Sequence, residues 1–349
     1  MSEVIFGLDT FGDVPVDDEG APVSHARAIR QLVDEAVLAD QLGVDVFTVG
    51  EHHRPEYSVS APETVLAGMA TRTSRIRLGS GVTVLSSDDP VRVFQRFATV
   101  DALSNGRAEV ILGRGSFTES FPLFGYDLKD YDVLFEEKIE LFARLLDEKP
   151  VTWKGTMRAP LVDADVYPKT AHGLKTWVGV GGTPQSVVRT AKYGFPLMLA
   201  IIGGQPERFQ PFIDLYERAA ADFDTTAWPV GMHSPGFIAD TDDEAKEIFW
   251  PHYKGSGTAS EPSAAGRPSA AKNSRPKPGT ARCTSAHQRP SPGESPAPWH
   301  HWTSAASTSS SHPEPSRSVH ASKPSNSTGA KWCRWSAKYS PAAGALEVA

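Results

Sequence analysis

Cysteine is nearly absent from this chain. Two occur in 349 residues, Cys283 and Cys333, and the first 254 residues have none. A disulfide framework and a cysteine zinc site are therefore excluded from that region. Long apolar runs are missing too. The longest, about Phe195 to Ile202, is far too short to span a bilayer, so no membrane partner is expected. The start, Met-Ser-Glu, has no basic stretch leading into an apolar core, which reads as a cytoplasmic protein without a secretory leader. No Gly-x-Gly-x-x-Gly follows the first apolar strand pattern, which argues against an open dinucleotide-binding sheet. No metal-ligand spacing stands out.

Large aliphatic residues fail abruptly after Lys254. From Gly255 onward only Val319, Leu346 and Val348 are aliphatics larger than alanine, while Ser, Pro, Ala, Gly, Thr, Arg and His dominate. Lys and Arg exceed Asp and Glu there by seven, so the first 254 residues carry −14 of the overall −7. Such a tail cannot bury enough apolar surface to offset its ordering entropy. Its basic charges are scattered singly, so a nucleic-acid partner is not expected. Residues 255–349 are read as a disordered tail. One origin is a frameshift in a GC-rich gene. Codons permitted for Ala281–Arg289, shifted by one base, can give Ala-Leu-Tyr-Val-Gly-Ser-Pro-Glu, a strand and a helix start. The other is a genuine disordered tail.

Residues 1–254 carry an alternating pattern. A helix over Ser24–Leu42 places Ile29, Leu32, Val33, Ala36 and Val37 inward and Asp34, Glu35 and Asp40 outward, and Gly43 ends it. Further helices are predicted over Pro62–Thr73, Asp89–Leu103, Tyr131–Asp147, from Thr183, and over Pro206–Phe223. Seven strands separate them: Val4–Asp9, Val44–Val49, Ile76–Val84, Ala108–Leu112, Lys175–Val180, Pro196–Ile202 and Val230–Ala239. Alternation of this kind gives a parallel sheet with right-handed crossovers. The fold class is α/β, a TIM (β/α)8-type barrel incomplete at its C-terminus.

Four strand ends carry unusual residues. Val44–Val49 runs into Gly50-Glu51-His52-His53, at the end of the strand where such barrels place chemistry. The imidazoles can move protons near neutral pH. Equally, Glu51 can pair with a basic neighbour and the histidines can simply be hydrogen-bonded. Leu78–Val84 holds small residues where a ligand would approach the backbone, or where a bulge sits. Gly113-Arg114-Gly115 offers an arginine fork for a phosphate, or a rim ion pair. Gly181-Gly182-Thr183-Pro184 places Thr183 as N-cap ahead of a proline at the first helical position. That is an anion site or an ordinary capped helix. The loop Ser116–Phe121 is aromatic and follows a glycine, which suits a cover or ordinary packing.

Taken in order, these segments, with Pro90-Val91-Arg92-Val93 and Leu103-Ser104-Asn105-Gly106-Arg107, resemble the bacterial luciferase-like family of flavin-dependent monooxygenases. The likeness covers roughly residues 3–254. It implies a TIM barrel with reduced FMN, or in some relatives the deazaflavin F420, across the C-terminal face. Under it, His52 matches the active-site histidine, Gly81-Val82 a non-proline cis peptide beneath the ring, and Arg114 the phosphate arginine. Gly182, Thr183 and Ser186 match the phosphate-binding helix start, and Glu51 is counted with the cofactor-binding residues. Gly113 stands where luciferase proper has cysteine, which implies an oxidoreductase without light emission. The implied partners are O2, a small organic substrate and a separate flavin reductase; a homodimer is left open. The implied activity is an FMN-dependent monooxygenase. Its alternatives are an F420-dependent oxidoreductase on the same scaffold and a non-catalytic product of a frameshifted gene. The family's last strand and helices are not readable after Lys254, so the first and seventh strands are expected to keep unpaired edges.

Overall fold

The computed structural model describes residues 3–202, 205–255, 303–310, 337–339 and 346–348. β1 (Glu3–Thr10), α1 (His25–Leu42), β2 (Val46–Val49), α2 (Pro62–Ala70), β3 (Arg77–Val84), α3 (Pro90–Ser104) and β4 (Ala108–Gly113) alternate without interruption. A short helix α4 (Ser120–Leu123), α5 (Tyr131–Leu145) and an antiparallel hairpin of β5 (Val151–Trp153) and β6 (Leu161–Ala164) follow. Alternation then resumes with β7 (Lys175–Val180), α6 (Pro184–Lys192), β8 (Leu197–Ala200), α7 (Gln210–Asp222) and β9 (Gly231–His233). The chain continues through β10 (Pro235–Gly236) and α8 (Asp242–Gly255), and β11 (Thr303–Ser310), β12 (Ala337–Tyr339) and β13 (Leu346–Val348) lie beyond.

The seven expected strands are all present, and they form one parallel array in the order β1-β2-β3-β4-β7-β8-β9. The result is a nearly closed barrel. The edge of β1, expected to stay unpaired, is covered by β11, which runs antiparallel to it with Glu3 opposite Ser310 and Asp9 opposite Ser304. β10 pairs with the other edge of β11. Three stretches of the expected tail are thus strands, Gly255 ends α8, and the remainder of residues 256–349 lies outside the described residues. The β5–β6 hairpin and α8 have no counterpart in the sequence reading, because neither carries a clear apolar period.

Two apolar regions hold the barrel. Helices pack their inward stripes against the outer face of the sheet, with Leu32, Phe94, Phe97, Phe142 and Tyr216 among the buried residues. Inside the barrel, Ile111, Trp177 and Met198 pack with Val82. Asp40 corrects the helix pattern: it is buried, not solvent-facing. Its carboxylate accepts hydrogen bonds from the amides of Ser74, Arg75 and Ile76, which lead into β3. Burial raises its pKa, but these amide bonds outweigh that and hold it below the usual carboxylate range. The α1 end is thereby locked to β3, which fixes the strand that carries Gly81 and Val84.

Candidate active site

The C-terminal ends of the parallel strands gather the residues singled out from sequence. His52 follows β2 and is enclosed by aromatic rings. Tyr57 stacks on it at 4.2 Å, and Phe11 and Phe117 meet it edge-on at 5.2 and 5.4 Å. Burial pulls its pKa down from 6.5 to about 4; the Asp9 charge acts in the opposite sense, and His53 and Arg54 push it lower. His52 is therefore a neutral imidazole at physiological pH. Its buried Nε2 has no hydrogen-bond partner among the described residues, so a further group beside it would find an unengaged nitrogen.

Glu51 is turned differently. It is buried, its Oε2 accepts from the Val84 amide at 2.8 Å, and its Oε1 lies 3.0 Å from His53 Nε2. The carboxylate thus ties the end of β2 to the end of β3. Glu51, His52 and His53 line one cleft with Val84, Gly115, Ser116, Phe117, Glu119 and Ser120. Phe117 brings the Ser116–Phe121 loop against His52. Arg54 holds that loop: its guanidinium lies 4.6 Å from the Phe117 ring centre and its Nε 3.5 Å from Glu119.

The Gly81–Val82 peptide is cis. Glycine is required at 81, since a Cβ there would fall 2.6 Å from Asp9 Oδ1. Gly113 faces Val82 in the same way, its missing Cβ lying only 2.5 Å from Val82 Cγ2.

Arg114 follows β4 and reaches the start of α6. Its Nη2 donates to Thr183 Oγ1 at 3.3 Å, and its Nη1 lies 3.1 Å from the exposed Asp132. Of the two readings of Arg114, the rim ion pair is present, and the same guanidinium also reaches the start of α6. Thr183 sits at the N-cap position with extended backbone, φ −106° and ψ 127°, and Pro184 follows in the first turn. Its side chain, however, does not cap the helix, contrary to the sequence expectation. The hydroxyl donates instead to Ser186 Oγ at 2.7 Å, while Arg114 donates to the same oxygen. The hydroxyl is thus drawn away from the first-turn amides. A Cβ at Gly181 or Gly182 would meet nothing within 4 Å, so the space before α6 is open. An anion there would find an arginine, two hydroxyls and the positive end of a helix.

Sequence reasoning missed Phe11, Tyr57, Asp9, Thr48 and His233. The first two are loop residues whose approach to His52 depends on tertiary folding. The last three lie on separate strands and form one buried group: His233 Nδ1 is 2.8 Å from Asp9 Oδ2, and Thr48 Oγ1 donates to Asp9 Oδ1 at 2.6 Å. No local spacing announces such a contact.

The model of the luciferase-like monooxygenase family matches residues 10–309, which passes through the altered tail and ends in β11. The chain belongs to that family. Limonene 1,2-monooxygenase of Rhodococcus erythropolis is 29% identical over 253 residues, covering 68% of this chain and 64% of that protein. An F420-dependent glucose-6-phosphate dehydrogenase of Amycolatopsis mediterranei is 30% identical over 161 residues, 44% of this chain and 48% of the other. Among solved structures, the monooxygenase RslO1 of Streptomyces bottropensis superposes with a TM-score of 0.62 at 26% identity, covering 71% of this chain and 76% of that one. The chain spans between 32% and 64% of the length of the first curated relatives it matches. Luciferase-like members thus include both monooxygenases and F420-dependent oxidoreductases.

Proposed function

We propose that this luciferase-like chain is a flavin-dependent monooxygenase that uses reduced FMN and O2 on a small organic substrate. The observation that carries this is the separation of roles across one barrel mouth. A neutral imidazole with an unsatisfied buried nitrogen lies at the end of β2, and an arginine–hydroxyl group lies at the open start of α6. A ligand with a flat ring system at one end and a phosphate at the other suits that pair.

Arg114, Thr183, Ser186 and the amides after Gly182 would hold the phosphate. Arg114 does so with two donors once it gives up Asp132, an exposed partner of little energetic weight. Gly81 and Val82 would support the ring from inside the barrel. Bound reduced flavin supplies the electrons that activate O2. The protein's own work is to place it and to exclude water. Phe11, Tyr57 and Phe117 exclude water around His52, and His52 Nε2 accepts or returns a hydrogen bond to an oxygen placed beside it.

A second reading keeps the site and changes the ligand: F420 also carries a phosphate beside a flat ring, and a 30% identical relative is named for it. Titration of the purified chain with FMN and, separately, with F420, followed by cofactor fluorescence, decides between them. Saturable binding of FMN that Arg114→Ala weakens supports the first reading. Binding of F420 alone supports the second. Binding of neither sinks both.

A further inference from the structure

The barrel interior holds a second imidazole that His52 does not account for. His233 ends β9 and is 8% exposed, and Asp9, one residue from the end of β1, is 3% exposed. Although 224 positions apart in sequence, their side chains meet at 2.8 Å. Thr48 is the register partner of Asp9 across β1 and β2, and its hydroxyl occupies the other carboxylate oxygen. Gly81 closes the group, since a Cβ there would clash with Asp9 Oδ1 and lie 3.2 Å from Thr48 Oγ1. Three adjacent strands and the last parallel strand thus meet in one polar layer just inside the mouth, against the Gly81–Val82 peptide.

The chemistry of the layer is directional. With Thr48 donating to one oxygen, the Asp9 carboxylate is placed to accept from His233 through the other. Nδ1 is then the protonated nitrogen, and Nε2 carries the lone pair. A neutral pair would tie β1 to β9 without burying a carboxylate, so strand pairing alone gives no reason for this choice of residues. A carboxylate does have a use if the imidazole becomes charged, because it offsets the imidazolium. Among the described residues His52, ringed by aromatics, has no carboxylate hydrogen-bonded to it, and Asp9 acts on it only through its charge.

We propose that His233, held by Asp9, is a second proton-handling group of the same mouth. This rests on the flavin-dependent reading above. An O–H of the molecule bound there breaks, an N–H forms at His233 Nε2, the electron pair stays on oxygen, and the imidazolium faces the Asp9 carboxylate. Asp9 and Thr48 are positioning residues that act through His233.

The test is nitrogen NMR on the full chain labelled with 15N-histidine, with His233→Gln identifying the signal. His233 is expected as the Nδ1–H tautomer, and Asp9→Asn is expected to abolish that preference. Oxidised FMN is then added to the unaltered chain, with its fluorescence read in the same sample. Binding is expected to shift the His233 Nε2 resonance more than Nδ1. This arm needs no variant, so it stands even if Asp9→Asn fails to fold. The Nε2–H tautomer, an unchanged preference in Asp9→Asn, or an unmoved His233 signal with FMN demonstrably bound overturns the inference and leaves the flavin reading intact. If neither FMN nor F420 binds, the flavin reading fails and the inference falls with it.

Discussion

The imidazole of His52 lies against the phenol ring of Tyr57, with centroids 4.2 Å apart and planes 29° from parallel. Stacking on one face and ring edges from Phe11 and Phe117 take much of the imidazole out of water. A charged form is disfavoured there, which is why its pKa falls to about 4.

That shift has a consequence for stability. Unfolded, His52 titrates near 6.5; folded, near 4. Between those values the unfolded chain binds a proton that the native chain does not. The contribution of His52 is therefore complete above pH 6.5 and is lost as pH falls toward 4, by about 3 kcal/mol in all. Denaturant unfolding of the cofactor-free chain at pH 7, 5.5 and 4.5 measures it. His52→Gln is expected to show a shallower loss over that window; an identical loss in both proteins refutes the assignment.

Arg114 is expected to contribute to flavin affinity through a charge-assisted contact of about 1.5–3 kcal/mol, so Arg114→Ala should weaken FMN binding by roughly 10- to 150-fold. Arg114→Lys keeps the charge but loses the planar fork, and should fall between the two. Asp132→Ala removes the competing ion pair and should not weaken binding. Fluorescence titration of the four proteins gives the order, and equal affinity for the Arg114→Ala protein rejects the phosphate role.

Much of this site was legible because barrel strands deliver their terminal residues to one face. Glu51-His52-His53, Gly113-Arg114 and Gly182-Thr183 each follow an apolar run, so recognising the strands was enough to group them. What local spacing could not tell was direction. Glu51 and His52 are neighbours, yet one carboxylate braces β3 while the next ring faces the aromatic enclosure. Thr183 had the right position and residue type for a cap, but Arg114 and Ser186 take up its hydroxyl. Asp40 fell on the polar side of its helix, yet three free amides before β3 draw it inward. The Asp9–His233 pair needs the barrel to close before it exists at all. The altered composition after Lys254 argued for no regular structure, since it lacks large aliphatics. A strand such as Thr303–Ser310 needs mainly a partner edge for its backbone, and β1 provides one.

Gly113 is expected to tolerate no side chain. An added Cβ would lie 2.5 Å from Val82 Cγ2 and 2.9 Å from Val82 Cβ. Valine is stiff about χ1, so it cannot swing aside without moving backbone. Gly113→Ala should cost about 1–3 kcal/mol of stability. Val82→Ala in the same chain removes the clashing methyls and should recover part of that loss. Thermal unfolding of both single variants and the double variant checks this; simple additivity contradicts the contact.

Glu51 separates a brace from a ligand-holding group. Its two oxygens are already taken by the Val84 amide and His53. Glu51→Ala would leave the buried Val84 N–H without its acceptor, at a cost of about 1–3 kcal/mol. Glu51→Gln should be milder, since its carbonyl can still accept from Val84 while its NH2 group faces His53, whose Nε2 can accept in the neutral ring. If the role is to brace, the FMN dissociation constant of Glu51→Gln stays close to that of the unaltered chain while its unfolding midpoint drops. If Glu51 instead touches the cofactor, as the sequence resemblance implied, affinity falls with stability unchanged. Measuring both quantities on this one variant decides between the two, because a carboxylate that ties β2 to β3 acts on the folded state before any flavin arrives.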